Sequence, residues 1–452
     1  MGLGALTIYG VGDMLGAGVY AAIGKWAGVM GNALWLAFAA AMIGALLTGL
    51  SYASLGSRYP RAAGASFITH RAFGMPFLSF LVGLAVAASG LTSFATQSRA
   101  FSGYFLGMFG VSQPGVKSAL PEASFGVWLA VVLGFILLLT LINFWGMKEA
   151  TWINIFCTAV EVIGLAIVIW VGARFWGGIN YLETPRAPDS ASANGLGLSL
   201  IVQGAALTFY SFVGFEDMIN VSEEVKNPER NFPRAVLMAL AVVTLIYIAI
   251  AITVVSVVPY AKLATSSEPL VDVVRTAAPG FPIAIFSFIA LFAIANTGLL
   301  NYIMSSRLLY GMARMNMVPS WLGRVHPTRR TPHVAIGFLM VIVMMLAFAG
   351  DVGRLAYATT ILLLLVFMLI NVSLLRLQGR ADEPKGQFEV PSFVPALGFA
   401  VCGAMLVSSF FDAERRASFS IALALLAGIS VLYLIARPTN INEETLSSAS
   451  DM

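Results

Sequence analysis

Apolar residues run through this chain in long, nearly unbroken stretches separated by short polar interruptions. Twelve such stretches can be marked, at residues 3–24, 32–57, 75–107, 124–143, 151–176, 196–221, 233–258, 281–313, 333–349, 352–375, 391–411 and 418–436. Most approach or exceed the roughly 20 residues that carry a helix across the hydrocarbon of a bilayer. Helices are the predicted form, because lipid offers no partner for backbone N–H and C=O groups and a helix satisfies them internally. Only Gly350 and Asp351 separate the ninth stretch from the tenth, so a tight turn is predicted there.

Composition sharpens that picture. Of 452 residues, 59% are hydrophobic and 11% charged, against about 25% charged in soluble proteins, and mean hydropathy is +0.86. So much apolar surface excludes a soluble enzyme, a nucleic-acid binder and a disordered regulator. Cys157 and Cys402 sit inside apolar stretches, which leaves no disulfide framework. The net charge of +4 is explained by topology: with the N-terminus inside, cytoplasmic loops hold sixteen Lys and Arg and outer loops nine, while Arg99 stays in the membrane. Both termini are therefore expected in the cytoplasm, with the chain in the cytoplasmic membrane. The opening residues lack the basic region of a cleavable signal, and the polar tail 437–452 reads as disordered.

Two stretches carry interruptions. The first holds Gly10, Gly12, Gly16 and Gly18 within nine residues, and the sixth sets Gly214 beside Glu216 and Asp217. Glycine costs a helix interior about 0.5–1 kcal/mol relative to alanine, and acids at that depth are expensive. The two lie five spans apart, the offset of a five-plus-five inverted repeat, whose paired breaks hold substrate and ions. Close helix packing through Gly12-xxx-Gly16 is the competing reading.

The segments Gly12–Tyr20 (GDMLGAGVY), Ser211–Asp217 (SFVGFED), Glu223–Ala235 (EEVKNPERNFPRA) and Ser306–Arg314 (SRLLYGMAR) carry a resemblance to the amino acid–polyamine–organocation permeases over nearly the whole chain. Met315-Asn316 departs from the Asp-Gly that often follows the last segment in that family. The resemblance implies an all-α membrane protein of the LeuT type with twelve transmembrane helices. It would form one transporter domain over 1–452: a five-helix repeat at 1–176, its inverted copy at 194–375, two peripheral helices at 391–436 and the cytoplasmic tail. It also implies a substrate carboxylate on the backbone amides of Gly16, Ala17 and Gly18, an α-ammonium on carbonyls of Met14, Tyr210 and Val213, and Tyr210 as the occluding aromatic. Such a site reads the amino-acid backbone. Selectivity then falls to walls drawn from Leu91, Thr92, Ala95, Thr96, Phe209, Phe212, Asn296 and Thr297, a weakly polar mixture that hints at a neutral or apolar substrate. Helix packing is the plainer reading of each.

Asp13, Arg99, Glu161, Glu216 and Asp217 are ionisable residues inside spans, and each needs a partner or a wet cavity. Asp13 reads as a proton or cation site, a contact to the ammonium, or an acceptor for loose N–H groups at a break. Arg99 is expected to pair with Asp13 or Glu216. Glu216 is expected to cap the second half of span six, with gating as a secondary role. Glu161 aligns where some proton-coupled relatives carry a lysine, so Glu161 and Asp13 are the proton-coupling candidates, with sodium the lesser choice.

His70, His326 and His333 lie in loops without clustered partners, and no strand precedes the glycines near residue 10, so neither metal nor cofactor is expected. The reading is an amino acid transporter working by proton symport, with an amino acid or amine exchanger, or a polyamine- or ethanolamine-type permease, as alternatives. A membrane-embedded enzyme lacks a catalytic cluster and a channel lacks filter repeats. A transporter-like nutrient sensor lacks a soluble signalling domain. The expected partners are the small-molecule substrate, a proton and the lipid bilayer.

Overall fold

A computed structural model describes residues 2–59, 64–114, 121–145, 147–185, 196–314, 317–408 and 413–436; the tail 437–452 lies outside them. The described chain is helical apart from one isolated β-bridge between Ser112 and Glu122. Fifteen α-helices follow in order: α1 (Leu3–Met30), α2 (Leu34–Arg58), α3 (Gly64–Phe73), α4 (Pro76–Met108), α5 (Phe125–Trp145), α6 (Met147–Gly172), α7 (Leu198–Thr208), α8 (Pro228–Val257), α9 (Tyr260–Thr265), α10 (Pro269–Ala277), α11 (Ile283–Arg314), α12 (His333–Ala349), α13 (Val352–Gln378), α14 (Phe393–Ser408) and α15 (Ala413–Ala436).

Among the described residues, eight helical stretches are long and apolar enough to cross a membrane, α1 and α2 being joined in one of them. Leu198–Phe212, His333–Ala349 and Phe393–Ser408 are shorter apolar helices. Local chemistry sets the ends. Proline opens α4, α8 and α10, where its missing N–H costs nothing. The predicted turn at Gly350-Asp351 is present, and Asp351 caps α13 by accepting the Arg354 amide at 3.0 Å.

α4 forms the centre, with α11 and α13 packed along it, while α8 lies along α2 and α1. The buried residues of α4 mix large apolar groups, Phe80, Leu91 and Phe94 among them, with small hydroxyls and an amide, Ser89, Thr92, Ser93, Thr96, Gln97 and Ser98. Thr92 bonds Thr359 of α13 at 2.7 Å, and Ser305 of α11 donates to the Ala87 carbonyl at 3.2 Å. Lipid tails are as apolar as leucine, so packing and hydrogen bonds between helices, rather than hydrophobic burial, hold such a bundle together. The lipid-facing surface is legible on α12, where Phe338, Val341, Met345 and Phe348 recur at helical spacing and all stand exposed.

A polar strap closes one end. The segment between α13 and α14 returns over α2 and α3, where Glu389 takes the Arg58 guanidinium through two bonds of 2.8 and 2.7 Å. Glu383 accepts from Tyr59 at 2.6 Å and from Arg71 at 3.2 Å. Arg380 donates to the carbonyls of Arg71 and Ala72 at the end of α3.

Candidate functional site

The helix gives way in span six, as its glycine and acids predicted. α7 stops at Thr208, Phe209–Phe212 form a 3-10 turn, Val213 is extended at ψ 133°, and Gly214 takes φ +123° before a second 3-10 segment, Phe215–Glu224. The Gly214 amide, freed by the break, donates to Glu216 Oε2 at 2.9 Å. Glu216 thus takes up the amide freed immediately before the second half.

Span one behaves differently. α1 is continuous from Leu3 to Met30, so the predicted break near Gly16–Gly18 is absent in this state. The reason lies in what each glycine faces. A Cβ on Gly12 would meet Thr158 Cγ2 of α6 at 2.6 Å. One on Gly16 would run into Thr297 of α11 and come within 2.9 Å of Glu161 Oε1, and one on Gly18 would collide with Ser211. The glycines bring three neighbours against the helix backbone, the competing reading of the sequence.

The contact between α1 and the break is the tightest part of the site. A Cβ on Gly214 would sit 3.0 Å from the Asp13 carbonyl carbon and 3.1 Å from Asp13 Cγ. Tyr247 of α8 fastens the junction: its buried hydroxyl reaches both the Met14 carbonyl and the Ser211 carbonyl, the latter at 2.7 Å. A lone tyrosine in an apolar helix gave no signal of this in the sequence. Tyr210 ties the break to α4, its hydroxyl lying 3.0 Å from Ser93 Oγ and accepting from Gln97 Nε2 at 2.9 Å, while Trp26 meets its ring edge-on at 6.4 Å.

The structure therefore brings Met14, Gly18, Tyr210 and Val213 together where α1 meets the break. Gly16 faces α6 and α11 instead, and the backbone of Ala17 lies between them in α1. Phe209 turns away, packing on Phe367 of α13 at 5.9 Å. Of the expected walls, Thr92 and Thr96 spend their hydroxyls on α4 carbonyls, Thr92 also bonding Thr359, and Asn296 gives its amide to Thr158.

Asp13, Glu161 and Glu216 are all buried. Both carboxyl oxygens of Glu161 and Oδ2 of Asp13 lack a hydrogen-bond partner, although Asn296 faces Glu161. None of the three joins a salt bridge among the described residues. A cleft reaches the break from one side, lined by Gly90, Val213, Glu216, Asp217, Asn301 and Ser305. A neighbouring cleft adds Tyr52 and Ser66 beside the same two acids.

Arg99 does not pair with Asp13 or Glu216. Its guanidinium donates to the Ala347 carbonyl in the last turn of α12 at 2.8 Å and lies over the Trp128 ring at 5.0 Å. It sits near the far end of α4, where a helix C-terminus and an aromatic face are the available partners for a cation. Among the histidines, His326 and His333 meet edge to face at 5.6 Å, and no third metal-ligating residue joins them among the described residues.

Comparison with known proteins finds a family and relatives that match most of the chain. The family described as amino acid permease matches residues 2–433. The branched-chain amino acid permease BcaP of Bacillus subtilis is 26% identical over 405 residues, covering 88% of this chain and 85% of that protein. The methylthioribose transporter of the same organism is 28% identical, covering 89% and 86%. Cationic amino acid transporter 4 of Mus musculus is 30% identical, covering 84% of this chain and 60% of its own length.

Proposed function

This chain belongs to the amino acid permease family, a family of multi-pass membrane transporters rather than enzymes, and we propose that it carries amino acids across the cytoplasmic membrane by alternating access coupled to protons. Counting α1 and α2 separately and adding the three shorter apolar helices gives twelve crossings, with both termini in the cytoplasm. Residues 1–176 and 194–375 are the two inverted halves, and 391–436 stand beside them.

One observation carries the reading: the interrupted span six pressed against the glycine-rich stretch of α1, with a cleft leading to the break at Val213, Glu216 and Asp217. Discontinuous helices expose backbone dipoles at mid-membrane, which suits a zwitterion. The substrate's ammonium is assigned to carbonyls of Met14, Tyr210 and Val213, with the Tyr247 hydroxyl as the group it displaces from Met14. The carboxylate is assigned to amides of Gly16, Ala17 and Gly18, which requires α1 to unwind there on binding. Four glycines make that helix roughly 3–4 kcal/mol less stable than four alanines, so the unwinding is within reach of an anion held by freed N–H groups. Tyr210 closes the site through Ser93 and Gln97, and Phe209 supports it from behind.

For coupling, Glu161 is the first choice and Asp13 the second. Glu161 lies where α1, α6 and α11 converge, and its bare oxygens can take and release a proton without breaking an ion pair.

The test is uptake of labelled amino acids into proteoliposomes, with and without an acid-outside pH gradient. One amino acid class is expected to accumulate, faster with the gradient, and Glu161→Gln is expected to lose the gradient response while keeping substrate-induced thermal stabilisation. Uptake indifferent to the gradient removes proton coupling, and no uptake of any amino acid removes the substrate assignment.

A further inference from the structure

The loop between α11 and α12 carries chemistry that the transport path leaves unused. No Asp or Glu occurs between Asp272 and Asp351, yet this loop presents Arg324, Arg329 and Arg330, all exposed. None of the three has a side-chain hydrogen bond or ion pair among the described residues, in contrast to Arg307 and Arg314.

The loop is built rather than slack. His326 donates its amide to the Thr331 carbonyl and accepts the Arg330 amide, both at 2.9 Å. The Arg329 amide reaches His326 Nδ1 at 3.3 Å, and Thr331 Oγ1 anchors the loop to the Phe144 carbonyl at 3.1 Å. Arg330 is held at φ +55°, a left-handed conformation that a non-glycine residue adopts at a cost. The chain accepts that cost at the second of two consecutive exposed arginines.

A second, independent feature fixes the depth. Trp321 is 44% exposed and stands edge-on to Phe338 at 5.9 Å. Phe338 begins the exposed stripe of α12 that continues through Val341, Met345 and Phe348. Tryptophan at the end of a lipid-facing stripe marks the boundary between acyl chains and headgroups, so the three arginines lie at headgroup level. Unpaired guanidiniums there match phosphate by charge and by their forked donors.

We propose that this loop is a docking site for anionic phospholipid headgroups, with Trp321 in the boundary layer and Arg324, Arg329 and Arg330 on the phosphates. The site is independent of the transport assignment.

The test is thermal unfolding of the purified full-length protein in detergent, titrated with phosphatidylglycerol or with phosphatidylcholine. Phosphatidylglycerol is expected to raise the melting temperature and phosphatidylcholine to leave it unchanged. With about 1 kcal/mol per arginine and tenfold per 1.4 kcal/mol, the variant R324Q/R329Q/R330Q should need on the order of 100-fold more phosphatidylglycerol for the same shift. K25Q/K262Q, which removes two exposed lysines elsewhere, should titrate like the parent. An unchanged titration of the arginine variant, or equal shifts by both lipids, overturns the proposal. So does a comparable shift from soluble glycerol phosphate, which makes the loop a site for free phosphate. If the triple variant does not fold, quenching by brominated lipids decides. Brominated phosphatidylglycerol should quench the parent more than brominated phosphatidylcholine does, and Trp321→Phe should abolish the excess; equal quenching overturns the assignment.

Discussion

Replacing Gly214 with alanine strikes the junction on which the proposed site depends, and two effects of that change can be separated. The first is conformational: φ +123° lies outside the regions open to a residue with a Cβ, which costs about 1–3 kcal/mol. The second is steric. The new methyl would sit 3.0 Å from the Asp13 carbonyl carbon and 3.1 Å from its oxygen. Those are backbone atoms of a continuous helix and cannot swing aside, so α1 and the break must part by a few tenths of an ångström. Overpacking of this kind costs about 1–3 kcal/mol. Alanine recovers roughly 0.4–1 kcal/mol by restricting the unfolded chain, which leaves a net loss of about 1–6 kcal/mol. Gly110→Ala supplies a comparison with positive φ and no clash, since Gly110 has φ +69°, in the left-handed region that costs a residue with a Cβ less than φ +123° does, and nothing within 4 Å of an added Cβ. Thermal unfolding of both variants, with and without substrate, is the assay. Gly214→Ala should melt clearly below Gly110→Ala and lose substrate-induced stabilisation. Equal melting temperatures with the substrate response intact would refute the close approach and the site built on it.

Further outcomes follow from other contacts. Tyr247→Phe leaves the buried Ser211 carbonyl without its hydroxyl partner, so stability should fall by about 1–3 kcal/mol; an unchanged melting temperature would show that the tyrosine does not fasten the junction. Glu383 lies outside the membrane-spanning helices, and although burial raises its pKa, hydrogen bonds from Tyr59, Arg71 and Arg380 bring it below the ordinary carboxylate value of 4.5. A group so depressed adds stability above its unfolded pKa and loses it as pH falls through the folded one. Glu383→Gln should therefore melt lower than the parent at neutral pH, with the gap closing below about pH 4.5, and a gap constant across that range counts against the strap. Tyr210→Phe removes the hydroxyl shared with Ser93 and Gln97 while keeping the buried ring; stability should fall by about 1–3 kcal/mol and the ligand-induced shift should shrink, and an intact ligand-induced shift counts against Tyr210 as the closing residue.

The sequence made the apolar segments visible because crossing length is a local property, measured along the chain. The interruption at Gly214 was visible for the same reason, since a glycine followed by two acids at mid-span contradicts a continuous lipid-facing helix. The glycines of α1 were ambiguous. A run of glycines weakens a helix and also permits close approach, and the residues that decide between the two, Thr158, Thr297 and Ser211, lie far along the chain. Arg99 misled for a related reason: its charge announced a need for a partner, but the partner proved to be a carbonyl and an indole ring, which carry no signature in a list of charges. Tyr247 was silent, because its role depends on two carbonyls meeting on one hydroxyl.

The strap over α2 and α3 has a consequence for how the chain is made. Arg58 and its partner Glu389 are 331 residues apart. At about 5–20 residues per second, roughly 15–65 s separate the synthesis of the guanidinium from that of the carboxylate that receives it. Throughout that interval the α2–α3 corner leaves the ribosome without its closing contacts, and water at the membrane surface must solvate Arg58 and Arg71. The end of α2 is thus fastened late, by a segment that follows α13.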